Sequence, residues 1–526
     1  MKIVRSLIAL LFIFGIVGCS NTSVDKSSSK EATEETGEAG GVIKIAMSAQ
    51  PPTIDVHLTT SSDAIEVSRN IYETLVTQDE NEQAVPMLAE SVETSEDGLT
   101  YTFKLRKGVK FHNGKEMTSD DVVASMTRWL EKSSRAKLLL EGAKFEAVDE
   151  YTVNLKLSRA VTDVLDIMAG RGQFPAIMPK EIIENAGEDG VKEYIGTGPF
   201  KFAEWKQDQY IRLEKFADYS PSDKKPSGMS GKKEVYIDEV YYYIVTDSST
   251  RMAGVQTGEY DIALNMPFDN YDQLKNTPNL KSYATFDTGT LNLAYNKKQG
   301  IFTNPEMRKA VNMGFDANAI MLASFGSKEL FKLDPGYMSL SQKNWATNAG
   351  KEVYNQANVE KAKQMLKAAG YNGEEVVLYS TRDYDHQYNA SVVIKEQLEK
   401  MGVKVKLEIY DWPTLVEKRN NPENWDAMIV ATGYVTTPSQ LLVVNPSFPG
   451  WTNDEKITQS LEDIRVAETK EEAKKKWAEL QSYMWNDYVP HTLFGHYASI
   501  LTTNEQVKNF KVFQKGPVLW NAKKIK

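Results

Sequence analysis

Side chains able to do covalent chemistry are few in this chain and widely scattered. Five histidines, His57, His112, His386, His491 and His496, are spread over 526 residues. No HExxH run occurs, and the five-residue gap between His491 and His496 does not set both on one helical face for zinc. No GxSxG elbow is present. The glycines from Gly37 to Gly41 precede a strand within a polar stretch, so they form no phosphate loop. An extracytoplasmic hydrolase thus finds no nucleophile with a base. The remaining chemistry is that of gripping a ligand: guanidinium groups for carboxylates, aromatic walls and hydroxyl donors. Arg382 follows a strand at its carboxyl end, where open α/β sheets take ligands, and Arg171 lies between an apolar helix and Pro179. Tyr384, His386, Trp412, Tyr434, Thr436 and Thr437 complete the candidate ligand-binding set. No catalytic residue, metal ligand or cofactor is expected.

Cys19 is the sole cysteine, which excludes an intramolecular disulfide and a multi-cysteine metal site. Lys2 and Arg5, an apolar run from Leu7 to Val17 and the small Gly18 make residues 1–18 a secretory signal, too short to span a bilayer. Ile16, Val17, Gly18 and Cys19 resemble a bacterial lipobox, which implies cleavage before Cys19 and its acylation, palmitate being one such chain. Residues 19–41 are Ser, Thr, Lys, Glu and Gly with almost nothing apolar to bury, a disordered tether. Two acyl chains on that cysteine anchor a body stably at the outer face of the cell membrane.

Those side chains need a scaffold. A chain of this length predicts two or more lobes. Its formal charge of −10 and the absence of a Lys/Arg stripe argue against a nucleic-acid partner. Val42 to Met47 reads as a strand, and a helix runs from Ile65 to Leu75. Hairpin-like strands follow at Glu90 to Glu93 and Tyr101 to Leu105. Asn358 caps a helix through Val359, Ala362, Leu366 and Ala369. A strand at Val376 to Tyr379, a loop from Ser380 to Tyr388, a helix from Ala390 to Met401 stopped by Gly402, and a strand from Val403 to Ile409 make a βαβ unit. No repeat of 20 to 50 residues is evident. Mixed α/β (α+β) lobes with a cleft between them are expected.

Several segments, in order, resemble the large substrate-binding proteins of oligopeptide, dipeptide and nickel ABC importers, solute-binding family 5. Ile54 to His57, Ile71 to Leu75, and Pro86 with Leu88 to Glu90 match its first-lobe signature. Tyr101, Phe103, Leu105, Arg106, Gly108, Val109, Phe111, His112, Gly114 and Lys115, then Asp120 to Val122, form the longest match. Gly196 to Phe200, Gly258, Asp261, Ile262, Asn296, Arg308, Ala310 and Asp316 follow. Most of these residues are turn and core residues; they identify the fold rather than the ligand.

The resemblance implies a two-lobed, type II periplasmic-binding-protein fold of the large peptide-binding cluster C. Lobe I would take residues 42–265 with 500–526, including an inserted subdomain at about 60–190, and lobe II residues 266–499. It implies a monomer that captures short peptides outside the membrane, closes around them and delivers them to ABC permease subunits. Peptide binders of the family carry Gly, Trp and a following Asp after a second-lobe strand. This chain reads Gly433, Tyr434, Val435, Thr436, Thr437, Pro438, Ser439, Gln440, so the acid that takes a peptide's amino terminus is missing there. In nickel-type relatives, arginines at places like Arg171 and Arg382 hold a chelate's carboxylates, which leaves a nickel or other metal chelate, or another small non-standard peptide-like ligand, as the alternative to a short peptide. A structural lipoprotein without a closing cleft is a third reading.

Overall fold

The computed structural model describes residues 40–339 and 341–525. The expected leader, Cys19 and the tether up to residue 39 lie outside the described residues. The architecture is mixed α/β, as the sequence predicts. Its spine is an eleven-stranded sheet with the order 404–410, 375–381, 427–433, 280–295, 491–504, 262–263, 42–47, 239–244, 210–215, 200–206; the short strand 331–332 pairs on 491–504. A separate antiparallel sheet has the order 89–94, 100–105, 152–156, 144–149.

The two longest strands, Leu280–Tyr295 and His491–Asn504, run antiparallel through the middle of the large sheet. Strand Ala427–Gly433 flanks the first of them, in register from Gly289 opposite Gly433 to Tyr295 opposite Ala427. A Cβ at Gly289 would collide with the Thr432 carbonyl oxygen, so only glycine lets these two strands approach there.

The βαβ unit forms as expected. Strands Glu375–Thr381 and Lys404–Tyr410 are parallel from Glu375 opposite Lys404 to Thr381 opposite Tyr410, and Gly402 (φ 90°) makes the turn between helix and second strand. The intervening helix, Asp385–Lys400, begins five residues before Ala390, because the Tyr384 carbonyl accepts the amides of Gln387 and Tyr388 at 2.9 and 3.0 Å. His386 consequently lies on a helix, not in a loop. In the first helix, Ser62–Ile71, the opposite occurs: it stops four residues before Leu75, where the Ile71 carbonyl turns to the Gly198 amide at 2.8 Å and Tyr72 becomes extended.

The apolar side chains gather in several distinct cores. One lies between the small sheet and helix Ser119–Lys132, around Phe103, Phe111 and Trp129. A second, around Ile45, Val67 and Tyr242, packs beneath strand Val42–Met47, and a third surrounds Phe315, Ile394 and Phe494. A fourth holds Trp345, Trp477 and Trp485. The chain's last strands return to its beginning: Lys524 Nζ donates to Asp261 Oδ2 at 2.8 Å, and the same oxygen accepts the Lys44 amide at 2.9 Å.

Candidate ligand site

Two cavities lie where segments distant in the sequence face one another. The larger, about 530 Å³, is walled by the short helix Ser134–Leu139 with Gly172 and Gln173 on one side and by residues 432–445 on the other. Leu138 and Leu442 supply apolar surface at its edge and are 65% and 50% exposed, while Arg135, Tyr434 and Gln440 supply the polar groups.

Arg135 is the notable cation of this cavity. Burial alone pushes its pKa down, and no nearby carboxylate opposes the shift. A Cβ on Gly172 would stand 3.3 Å from both its Nη atoms, so the guanidinium packs close against Gly172. Gln440 contributes a second donor. Its Oε1 accepts the Thr436 amide at 3.0 Å and the Thr436 hydroxyl at 3.2 Å, leaving a buried Nε2 with no acceptor among the described residues. A guanidinium on one side of the cavity and, across it, an amide N–H₂ without an acceptor among the described residues fit a ligand oxygen that carries negative charge.

The candidate residues of this segment have other duties. The Tyr434 hydroxyl donates to Glu82 Oε2 at 2.5 Å. Thr436 and Thr437 are buried; the Thr437 and Ser439 hydroxyls bond at 2.8 Å, and Ser439 donates onward to Asp163 Oδ2 at 3.0 Å. Both threonines lie behind the cavity, lining neither it nor the second one, and their hydroxyls are engaged.

The second cavity, about 480 Å³, is lined by Ser48, Arg251, Phe268, Tyr384, His386 and Lys515 among others. The imidazole of His386 is caged by Phe268, Phe325 and Tyr497, with ring centroids 5.7 to 5.8 Å away. Burial lowers its pKa to about 4, so it is neutral, and its Nε2 is buried without a partner among the described residues. Tyr384 packs edge-on against Trp412 at 5.2 Å, and the Trp412 amide donates to Asp383 at 2.7 Å. These contacts gather Tyr384, His386 and Trp412 at the carboxyl ends of the paired parallel strands.

The two arginines singled out in the sequence are apart from each other. Arg382 is exposed and turns back on the Ile409 carbonyl at 3.2 Å; it lines neither large cavity. Arg171 is paired with Glu66 and borders a gap of about 40 Å³ shared with Arg69, Tyr72 and Lys233. Nearby Asp63 is raised to about 6, first by burial and then by the Glu66 charge. Arg135, Gln440, Glu66 and Glu82 went unread in the sequence: each stands in a segment whose pattern alone matches a solvated helix face or turn.

His57 and His112 are structural. His57 sits against the buried Arg128–Asp55 pair (2.6 Å) and its Nε2 bonds the Ala176 carbonyl at 3.1 Å. His112 bonds the Gly198 carbonyl at 3.0 Å. Among the described residues no group of three or more His, Cys, Asp or Glu could hold a metal ion, and no helix is long and apolar enough to cross a membrane.

Residues 83–454 match the family model described as bacterial extracellular solute-binding proteins, family 5 Middle. The chain belongs to this family, and its fold is that of the two-lobed binding proteins. It is 27% identical over 99% of its length, and 97% of the relative's, to the oligopeptide-binding protein AppA of Bacillus subtilis. It is 27% identical over 70% of its length, and 69% of the relative's, to the glutathione-binding protein GsiB of Escherichia coli. Among solved structures, AgaA of A. tumefaciens R10 with agropinic acid matches with a TM-score of 0.75 and 28% identity, covering 92% of this chain and 99% of that one. AppA of B. subtilis with a nonapeptide matches at 0.74 and 25%, covering 93% and 100%.

Proposed function

We propose that this protein is the lipid-anchored solute-binding subunit of an ABC importer for short peptides. Cys19 carries the acyl chains, palmitate among them, that hold it at the outer face of the cell membrane. It acts as a monomer, closes lobe I (42–265 with 500–526) and lobe II (266–499) around ligand, presents the closed form to the permease, and performs no catalysis. The relatives named for oligopeptides and glutathione, and the one crystallised with a nonapeptide, support the peptide reading.

The observation that carries this reading is the 530 Å³ cavity with its unpaired Arg135 and the free Nε2 of Gln440. A peptide's carboxylate satisfies both donors, and Leu138 with Leu442 covers an apolar side chain. Arg171 becomes a second carboxylate contact when a ligand displaces Glu66, Tyr434 supplies an aromatic wall, and Arg382 stays at the rim. A second reading, a metal chelate, is favoured by the buried, neutral and unpartnered Nε2 of His386 in the other cavity.

Thermal unfolding of protein refolded from denaturant, so that carried-over ligand is gone, tests these readings against each other. A higher midpoint with di- to pentapeptides, abolished in Arg135→Ala, supports peptide capture. A rise only with nickel plus a carboxylate chelator, abolished in His386→Phe, supports the second reading. No rise with any of them removes support from both. Labelled palmitate incorporated by the protein and lost in Cys19→Ala tests the anchor.

A further inference from the structure

Asp163 begins helix Val164–Met168, yet its carboxylate makes no bond to that helix. It faces Arg465, the last residue of helix Glu455–Arg465, whose Nε donates to Asp163 Oδ1 and Oδ2 at 3.4 and 3.3 Å. Arg465 Nη2 also donates to the Leu139 carbonyl at 2.5 Å, and the Ser439 hydroxyl donates to Asp163. The backbones join as well: the Thr162 amide donates to the Arg465 carbonyl at 2.7 Å. Around this centre Lys470 pairs with Asp166 at 3.4 Å and Arg159 pairs with Glu462. Asp163 and Arg465 are 2% and 6% exposed.

The two segments belong to different cores. Val161, Val164 and Ile167 pack with Phe103 and Trp129, whereas Ile457 and Ile464 pack with Trp477 and Trp485. The contact is therefore a buried ion pair between two separately packed bodies, beside the larger cavity that Leu139 and Ser439 help to line.

We infer that Asp163 and Arg465 form a latch that fixes the register in which the cleft closes, with or without ligand. The inference rests on the closing-cleft reading above. A buried ion pair adds little net stability, because desolvation of both charges offsets their attraction. Its force lies in what it forbids: a closure shifted by one side chain buries one charge without the other, which is strongly unfavourable. The latch thus selects one closed arrangement, which the ligand-free protein already holds. Neither residue lines the larger cavity.

Hydrogen exchange of the Thr162 amide in the ligand-free full-length protein tests this, because its acceptor lies across the contact. In the native protein this amide is expected to be protected. In Asp163→Asn and Arg465→Met it should exchange at least tenfold faster, while amides of strand Val42–Met47 keep their rates. The double variant should be no faster than the faster single one. Unchanged Thr162 protection in both single variants overturns the latch. So does a parallel loss of protection in strand 42–47, which would make the pair a support of the whole fold, and so does an unprotected Thr162 in the native protein. Peptide-induced stabilisation, measured on the same samples, reports on the importer reading separately.

Discussion

The carboxylate of Glu66 grips the guanidinium of Arg171, both side chains being almost wholly buried, at 6% and 13% exposure. The Glu66 side chain also reaches Arg69 at 3.6 Å, and Gly516 packs against its carboxylate so closely that no side chain could replace the hydrogen there. Glu66 therefore saturates the accessible side of the Arg171 guanidinium.

Breaking that pair from one side should be costly. Glu66→Gln or Arg171→Met leaves one buried charge alone, and each is expected to lower unfolding stability by about 3 kcal/mol, read as a shift in the urea midpoint. The double variant should lose less than the sum of the two. Strict additivity would mean that the two groups do not interact in solution.

Arg135 should behave in the opposite sense. Its guanidinium is desolvated without a carboxylate, so Arg135→Met is expected to stabilise the ligand-free protein by roughly 1 kcal/mol while removing its response to peptides. Urea midpoints with and without a tripeptide check both halves. A loss of stability equal to the loss of response would make Arg135 a support of the fold instead.

Stability should fall steeply in mild acid. Burial lowers His57, His112 and His386 to about 4 and His491 to about 3. These rings stay neutral in the fold but take a proton near pH 6.5 once unfolded. The unfolded state therefore binds more protons between pH 6.5 and 4, and stability present above that window is lost as pH falls through it. Each ring contributes on the order of 3 kcal/mol across the window. Asp63, raised to about 6, works against them: the fold holds its proton more tightly, so it stabilises as pH falls from 6. Urea midpoints measured every half pH unit should show a net uptake of about three protons on unfolding. His386→Phe, which keeps the ring stack, should reduce the uptake by one.

Gly289→Ala is expected to destabilise strongly, since the added methyl meets the Thr432 carbonyl in the middle of the large sheet. Circular dichroism melts compared with Gly433→Ala, where a Cβ meets nothing within 4 Å, isolate the effect of that close approach.

Much of the scaffold was legible because it rests on local patterns. The alternation of Val403, Val405, Leu407 and Ile409, the Asn358 cap and the Gly402 stop each appear where the sequence places them. The boundaries that moved were set by distant partners: Gly198 ends the first helix, and the start of helix Asp385–Lys400 carries His386 into an aromatic cage built from three other segments. The site was legible only in part for the same reason. Tyr384 and Trp412 could be paired because parallel strands bring their carboxyl ends together. Arg135 became a candidate only when the small-sheet region met residues 432–445, a meeting encoded in no local periodicity.

The return of the chain's end to its beginning also governs the order in which the molecule can be made. Strand 262–263 pairs with Thr502 and Thr503, Asn521 accepts the Glu234 amide, and Lys524 reaches Asp261 beside strand 42–47. The early part of the polypeptide therefore lacks neighbours that only its final residues provide. Closing loops this long makes folding slow and leaves the nascent chain exposed until synthesis is complete. A protein destined for passage through a narrow translocation pore would draw an advantage from that delay: it stays threadable until residues 502–524 reach strands 42–47 and 262–263.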